Sequence, residues 1–95
     1  MRVHAVSPLR FTLPPSGILA AESVHEPRFR MDFEHHDFYE LYYIYKGSVA
    51  HYGSETGDPL VLEAGMFHAI SPGERHRIED RSPATLLLFC MSGAF

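Results

Sequence analysis

Turn-forming residues punctuate this chain at short, even intervals. Pro14-Pro15, Glu26-Pro27, Lys46-Gly47, the loop through Gly53, Gly57 and Pro59, Gly65, Ser71-Pro72-Gly73 and Ser82-Pro83 cut it into short runs. Those runs are rich in β-branched, aromatic and other apolar residues, and none keeps a helical period. Short strands with turn signals about every 8–12 residues make an all-β sandwich or barrel. The spacing predicts eight or nine strands, among them Ile18–Val24, Arg28–Phe33, Tyr39–Tyr45, Ser48–Tyr52, Leu60–Leu62, Met66–Ile70, His76–Glu79 and Thr85–Met91. In the second of these, Phe29, Met31 and Phe33 alternate with Arg28, Arg30 and Asp32, the period of a half-buried strand. Gly47 is expected to turn a hairpin between Tyr45 and Ser48. Before the first strand, Met1 to Ser16 carries Pro8, Pro14 and Pro15, which suits an arm or an edge segment.

The stretch His35–Gly47, HHDFYELYYIYKG, joins a polar head to an aromatic strand. Such a pairing fits the mouth of a β-barrel, where a few convergent polar groups meet an apolar wall. Alternation puts Tyr42 and Ile44 on Glu40's face and Leu41, Tyr43 and Tyr45 on the other. The second face either lies under another layer or the arm, or is an exposed apolar patch of the kind that marks a contact surface. In the latter case a two-fold homodimer is the simplest partner.

Composition narrows the classes. Ninety-five residues allow one domain with a moderate core. A net charge of −4 and scattered arginines argue against direct contact with nucleic acid. Of the seven arginines only Arg75, Arg77 and Arg81 lie close together, and they read as a solvated strand edge. The single cysteine, Cys90, excludes an internal disulfide and sits in an apolar run, as a buried inert thiol does. No run is long enough to span a membrane and the N-terminus lacks a signal-peptide core. A soluble, cytoplasmic domain is expected.

Two spacings carry a resemblance. His36, Glu40 and Gly47 fit the first cupin motif, within residues 34–47. Gly65, Gly73 and His76 fit the second, within residues 65–80. Together with SPGERH downstream, HHDFYELYYIYKG resembles the cupin-type N-terminal sensory domain of AraC/XylS-type transcriptional regulators. The resemblance covers about half the chain and implies a small jelly-roll barrel. Three positions depart from the pattern: Glu34 stands at the first place of the His-x-His pair, Ser71 at a proline and Asp80 at an asparagine. The DNA-binding part of such regulators would lie outside this chain, which shows no helix-turn-helix pattern and ends at Phe95.

On one straight strand His36 and Glu40 would sit roughly 13 Å apart, at about 3.3 Å per residue. Shared work therefore demands a bend near Asp37-Phe38. Glu34, His36, Glu40 and His76 then read in three ways: a 2-His/carboxylate centre for a divalent ion (Zn, Mn, Fe or Ni), a polar rim that orients a ligand, or a satisfied polar cluster. The resemblance implies a sensory module whose small-molecule effector is held by His36, Glu40 and His76 against Tyr42, Ile44, His51 and Phe67, with the arm folding over the opening. The competing reading is a stand-alone metal-dependent cupin enzyme of isomerase or dioxygenase type. His35 should face solvent. His51 either faces the barrel beside Glu40 or makes a half-exposed cross-strand contact, and His68 fits a pocket wall or the surface equally well.

Overall fold

A computed structural model describes residues 1–93. The fold is all-β and cupin-like, built from six strands: β1 (Arg2–Ala5), β2 (Ile18–His25), β3 (Phe38–Tyr52), β4 (Leu60–Glu63), β5 (Phe67–Ile70) and β6 (Arg77–Ser92). Two long strands, β3 and β6, pair antiparallel along their whole length and form a bent ribbon. Their halves belong to different layers. The first half of β3 joins β5 on one side and the second half of β6 on the other, and β2 and the parallel edge strand β1 complete that layer. The second half of β3 joins β4 and the first half of β6. The core lies between: Tyr42, Ile44, Val49, Leu62, Ile70, Ile78 and Leu86 are buried, with Leu9 and Phe29 packed against them. Each fully buried aliphatic side chain there contributes about 1.5–3 kcal/mol.

The ribbon corrects the expected strand count. No hairpin forms at Gly47; the chain stays extended through it and the register slips at Ile44, Lys46 and Ser48. A bulge bends the strand without ending it. Glycine is needed at that corner, because its φ is +82° and a Cβ would run into the Pro83 carbonyl of the facing strand. In the same way Ser82-Pro83 bends β6 instead of separating two strands. Residues 28–33 form no strand despite their alternation. Their polar backbone finds other partners: Phe29 N–H donates to Glu26 and Arg30 N–H to Val6. Alternation along β3 is as expected, with Tyr42 and Ile44 inside and Leu41 and Tyr45 exposed.

The first residues of the Pro-rich segment add β1, and the remainder crosses one end of the barrel. There Phe11 stacks on Phe38, ring centroids 5.5 Å apart. No helix is long and apolar enough to cross a membrane.

Candidate functional site

The bend expected after the histidine pair is present. Asp37 interrupts the extended chain just before β3 begins at Phe38. His36 Nε2 consequently comes to 3.6 Å from Glu40 Oε1, although the two are four residues apart. His76 arrives from the start of β6. An isolated bridge holds it there: Glu34 N–H donates to the His76 carbonyl and His76 N–H to that of Glu34. Gly73 N–H donates to the His36 carbonyl and pins the turn of the second motif to the first.

Both imidazoles are oriented by the backbone. His36 Nδ1 donates to the Phe38 carbonyl at 2.8 Å, and the ring stacks on Phe38. His76 Nδ1 donates to the Glu74 carbonyl at 3.3 Å. Each hydrogen bond leaves Nε2 as the lone-pair nitrogen, the arrangement that fixes a metal-ligating histidine or an acceptor for a ligand. His36 Nε2 is buried with no hydrogen-bond partner, and a buried polar atom in that state is costly unless something meets it. Ligand atoms of His36, Glu40 and His76 all lie within 4.8 Å of one another. That donor set and the orphaned nitrogen fit a divalent cation.

Burial sets the charge states. Glu40 is pushed up to about 7, first by burial and then by the neighbouring Glu34. His76 is lowered, chiefly by burial. His51 is lowered to about 4 by burial and by the nearby His68 and His76. Burial also raises Tyr42, so at neutral pH its hydroxyl stays protonated, and it hydrogen-bonds with His51 Nδ1 at 2.7 Å.

Glu40, Tyr42 and His76 border a cavity with about 50 Å³ open to the centre of a water molecule. One water needs roughly 10–15 Å³ on that measure, so the space suits a small organic molecule. Its wall includes Glu34, His36, Glu40, Tyr42 and His76, with Phe29, Met31, Phe38, Leu86 and Leu88 as apolar lining. Pro8 and Leu9 of the N-terminal segment close part of it.

Not every expected wall residue is on it. Glu34 borders the cavity outside the close trio and pairs with Arg10 at 3.5 Å. Ile44 is fully buried in the core beneath. His51 is buried behind Tyr42, its ring 4.2 Å from that of His68, so the half-exposed alternative for it does not hold. Phe67 is 66% exposed and points away, because its place in β5 opposite Tyr43 puts it on the outer face. His35 is exposed as expected. One wall residue had no signal in the chain: His25, which bonds Asp80 across from β2 to β6 at 2.7 Å. They are fifty-five residues apart, and only the fold joins them.

Comparisons with known proteins agree with this architecture. A cupin-2 domain protein from Shewanella frigidimarina superposes with a TM-score of 0.59 at 14% identity, over 76% of this chain and 66% of that one. The chain thus spans about two thirds of that protein's length. A candidate mannose-6-phosphate isomerase from Ralstonia eutropha gives 0.63 at 17% identity, over 85% and 80% of the two chains. A protein from Neisseria meningitidis gives 0.60 at 13%, over 79% and 72%. At such identities the likeness shows the fold alone. Among curated protein sequences nothing matches significantly. The profile of the AraC-like ligand binding domain, however, matches residues 16–94. A cupin-like barrel with a partly closed cavity that holds a few polar groups on an apolar wall, matched over most of its length by that profile, belongs to the family of AraC-like ligand binding domains.

Proposed function

We propose that this chain is the effector-sensing domain of an AraC-type transcriptional regulator, with residues 1–95 acting as one cytoplasmic domain. The observation that carries the reading is the convergence of His36, Glu40 and His76 on one enclosed cavity within a ligand-binding fold. A small molecule held there meets two imidazole acceptors and a carboxyl group, against Tyr42 and the apolar lining. Pro8 and Leu9 touch the same space, so ligand binding and the placing of the N-terminal segment are coupled whenever the ligand fits one placement better. DNA contact falls to a separate part of the regulator. Arg75 and Arg77 are engaged by Glu55 and Glu79, and a net charge of −4 is poorly suited to a phosphate backbone.

A second copy is the proposed partner. The outer face of the larger layer carries Leu41, Tyr45, Phe67, Phe89 and Met91, all exposed and contiguous across β3, β5 and β6. Apolar surface of this extent on one sheet face marks a contact surface, and an isologous pairing satisfies it with itself. Sedimentation should show a dimer that Phe89→Glu splits; a monomer at every concentration would remove the proposal.

One observation favours a second reading. The trio and the orphaned His36 Nε2 fit a divalent ion, which when bound would polarise a substrate oxygen as a Lewis acid. A metal-dependent enzyme and a sensor are separated by one experiment. Protein purified without chelators is analysed for metal, and metal-free protein is screened against metabolites for thermal protection. The sensor reading expects a saturable ligand that binds metal-free protein and is lost in His76→Ala. Stoichiometric metal with turnover, and no metabolite that protects the metal-free fold, would overturn it.

A further inference from the structure

The cavity has two polar ends. Tyr42 and Glu40 on β3 border one, and Ser23 and His25 on β2 border the other. Between them runs β6, whose Leu86 pairs with Ser23 on one side and Ile44 on the other, and whose Leu88 pairs with Tyr42. Two strand spacings, roughly 10 Å of backbone, separate the ends. Inward-reaching side chains narrow that gap to the length of a small molecule with an apolar waist.

His25 is held on two sides. Its Nδ1 lies 2.7 Å from Asp80 Oδ1, and its ring lies flat on Phe29, centroids 3.6 Å apart and planes 3° from parallel. The side chain is 3% exposed. A carboxylate accepts, so Nδ1 carries a proton, and in the neutral ring Nε2 keeps its lone pair. Among the described residues neither Nε2 nor the Ser23 hydroxyl has a hydrogen-bond partner, and neither is among the buried atoms sealed off from water. Both residues line the cavity from one face of β2.

The charge of the wall is one-sided. Glu34 and Glu40 border the cavity, Asp80 bonds His25, and among the described residues no lysine or arginine lines it. The guanidinium paired with Glu34, that of Arg10, belongs to a side chain 81% exposed. An anion would enter without a counter-charge, at a steep desolvation cost. We infer that Ser23 and His25, oriented by Asp80, form a second subsite that accepts a hydroxyl hydrogen from an uncharged small molecule. Through it the cavity selects hydroxyl-bearing ligands over carboxylates and phosphates of the same shape. The inference rests on the cavity being the ligand site.

Benzyl alcohol and benzoate are matched probes, since each sets a ring on the apolar waist and one polar group at the end. Side-chain ¹⁵N spectra of the metal-free protein read the tautomer of each histidine, and titration reads which nitrogen a probe meets. The expected resting state of His25 is the Nδ1–H tautomer. Benzyl alcohol should shift its Nε2 resonance and bind at least tenfold more tightly than benzoate. His25→Phe keeps the ring on Phe29 and should weaken benzyl alcohol by roughly fivefold to tenfold, the worth of one neutral hydrogen bond. The wild-type spectra decide the matter even if that variant fails to fold. An Nε2–H tautomer, a doubly protonated ring, or benzoate binding as well as the alcohol would overturn the inference. Shifts at His36 and His76 with His25 unmoved would overturn it and leave the sensor reading standing. No shift at any of the three, up to the solubility of both probes, would remove the subsite and the ligand cavity together.

Discussion

Replacing Glu40 by Gln should make the protein more stable above neutral pH, although the residue sits at the heart of the proposed site. The Glu40 carboxyl has its ordinary value of 4.5 in the unfolded chain and about 7 in the folded one, because burial and Glu34 both oppose its charge. Between those values the native state keeps a proton that the unfolded state has lost. Native stability therefore falls as pH rises from 4.5, and above about 7 the full cost is present. At about 1.36 kcal/mol for each pH unit, the displacement amounts to about 3 kcal/mol, a ceiling that any rearrangement of the site lowers. His51 works in the opposite sense. Its folded value of about 4 lies below the ordinary 6.5, so stability it contributes is present above 6.5 and lost as pH falls toward 4. The two slopes mask each other in the wild type, and the variant removes only one. Urea unfolding of both proteins, with a chelator present, should give equal stabilities near pH 4.5. A gap favouring Glu40→Gln should open on the way to about pH 8, reaching about 1–3 kcal/mol. A difference that stays constant across this range would mean that Glu40 is solvated, and the enclosed site would go with it.

Other substitutions probe the frame around the site. Gly47→Ala forces a side chain into a left-handed backbone and onto the Pro83 carbonyl; a loss of roughly 3–5 kcal/mol, at the exceptional end for one residue, should appear in the urea midpoint, and an unchanged midpoint would contradict the bulge. Tyr42→Phe strips His51 Nδ1 of its hydrogen-bond partner and should cost about 1–3 kcal/mol in the same assay; a neutral result would mean that the pair is not formed. Cys90, 1% exposed, has a thiol pushed up to about 12 by burial and by Glu40. Iodoacetamide should label it at neutral pH only as the protein unfolds, and prompt labelling of native protein would show the ribbon to be open there.

Much of the site was legible because it is local. His36 and Glu40 stand four residues apart, and the demand that they meet forced a bend that Asp37 supplies. His76 was placed by the glycine spacing of the second motif. The continuity of β3 and β6 was hidden, since Gly47 and Pro83 read locally as turn residues. Their contact across the ribbon, which turns two breaks into one shared corner, appears only when the strands pair. Residues 28–33 alternate like a strand but have no neighbour with which to share a ladder, and pairing outranks pattern. The side that Phe67 takes depends on a register its own segment does not carry; opposite Tyr43 it takes the outer face. The His25–Asp80 pair joins β2 to β6, and nothing within either segment announces it.

A crystal structure of the metal-free protein with a ligand found by thermal screening tests the central claim most directly. The expected density lies inside the barrel, within hydrogen-bonding distance of His36 Nε2 and Glu40, with Pro8 and Leu9 against it. A ligand seated on the outer sheet, or His36, Glu40 and His76 turned to separate faces around an empty interior, would contradict it.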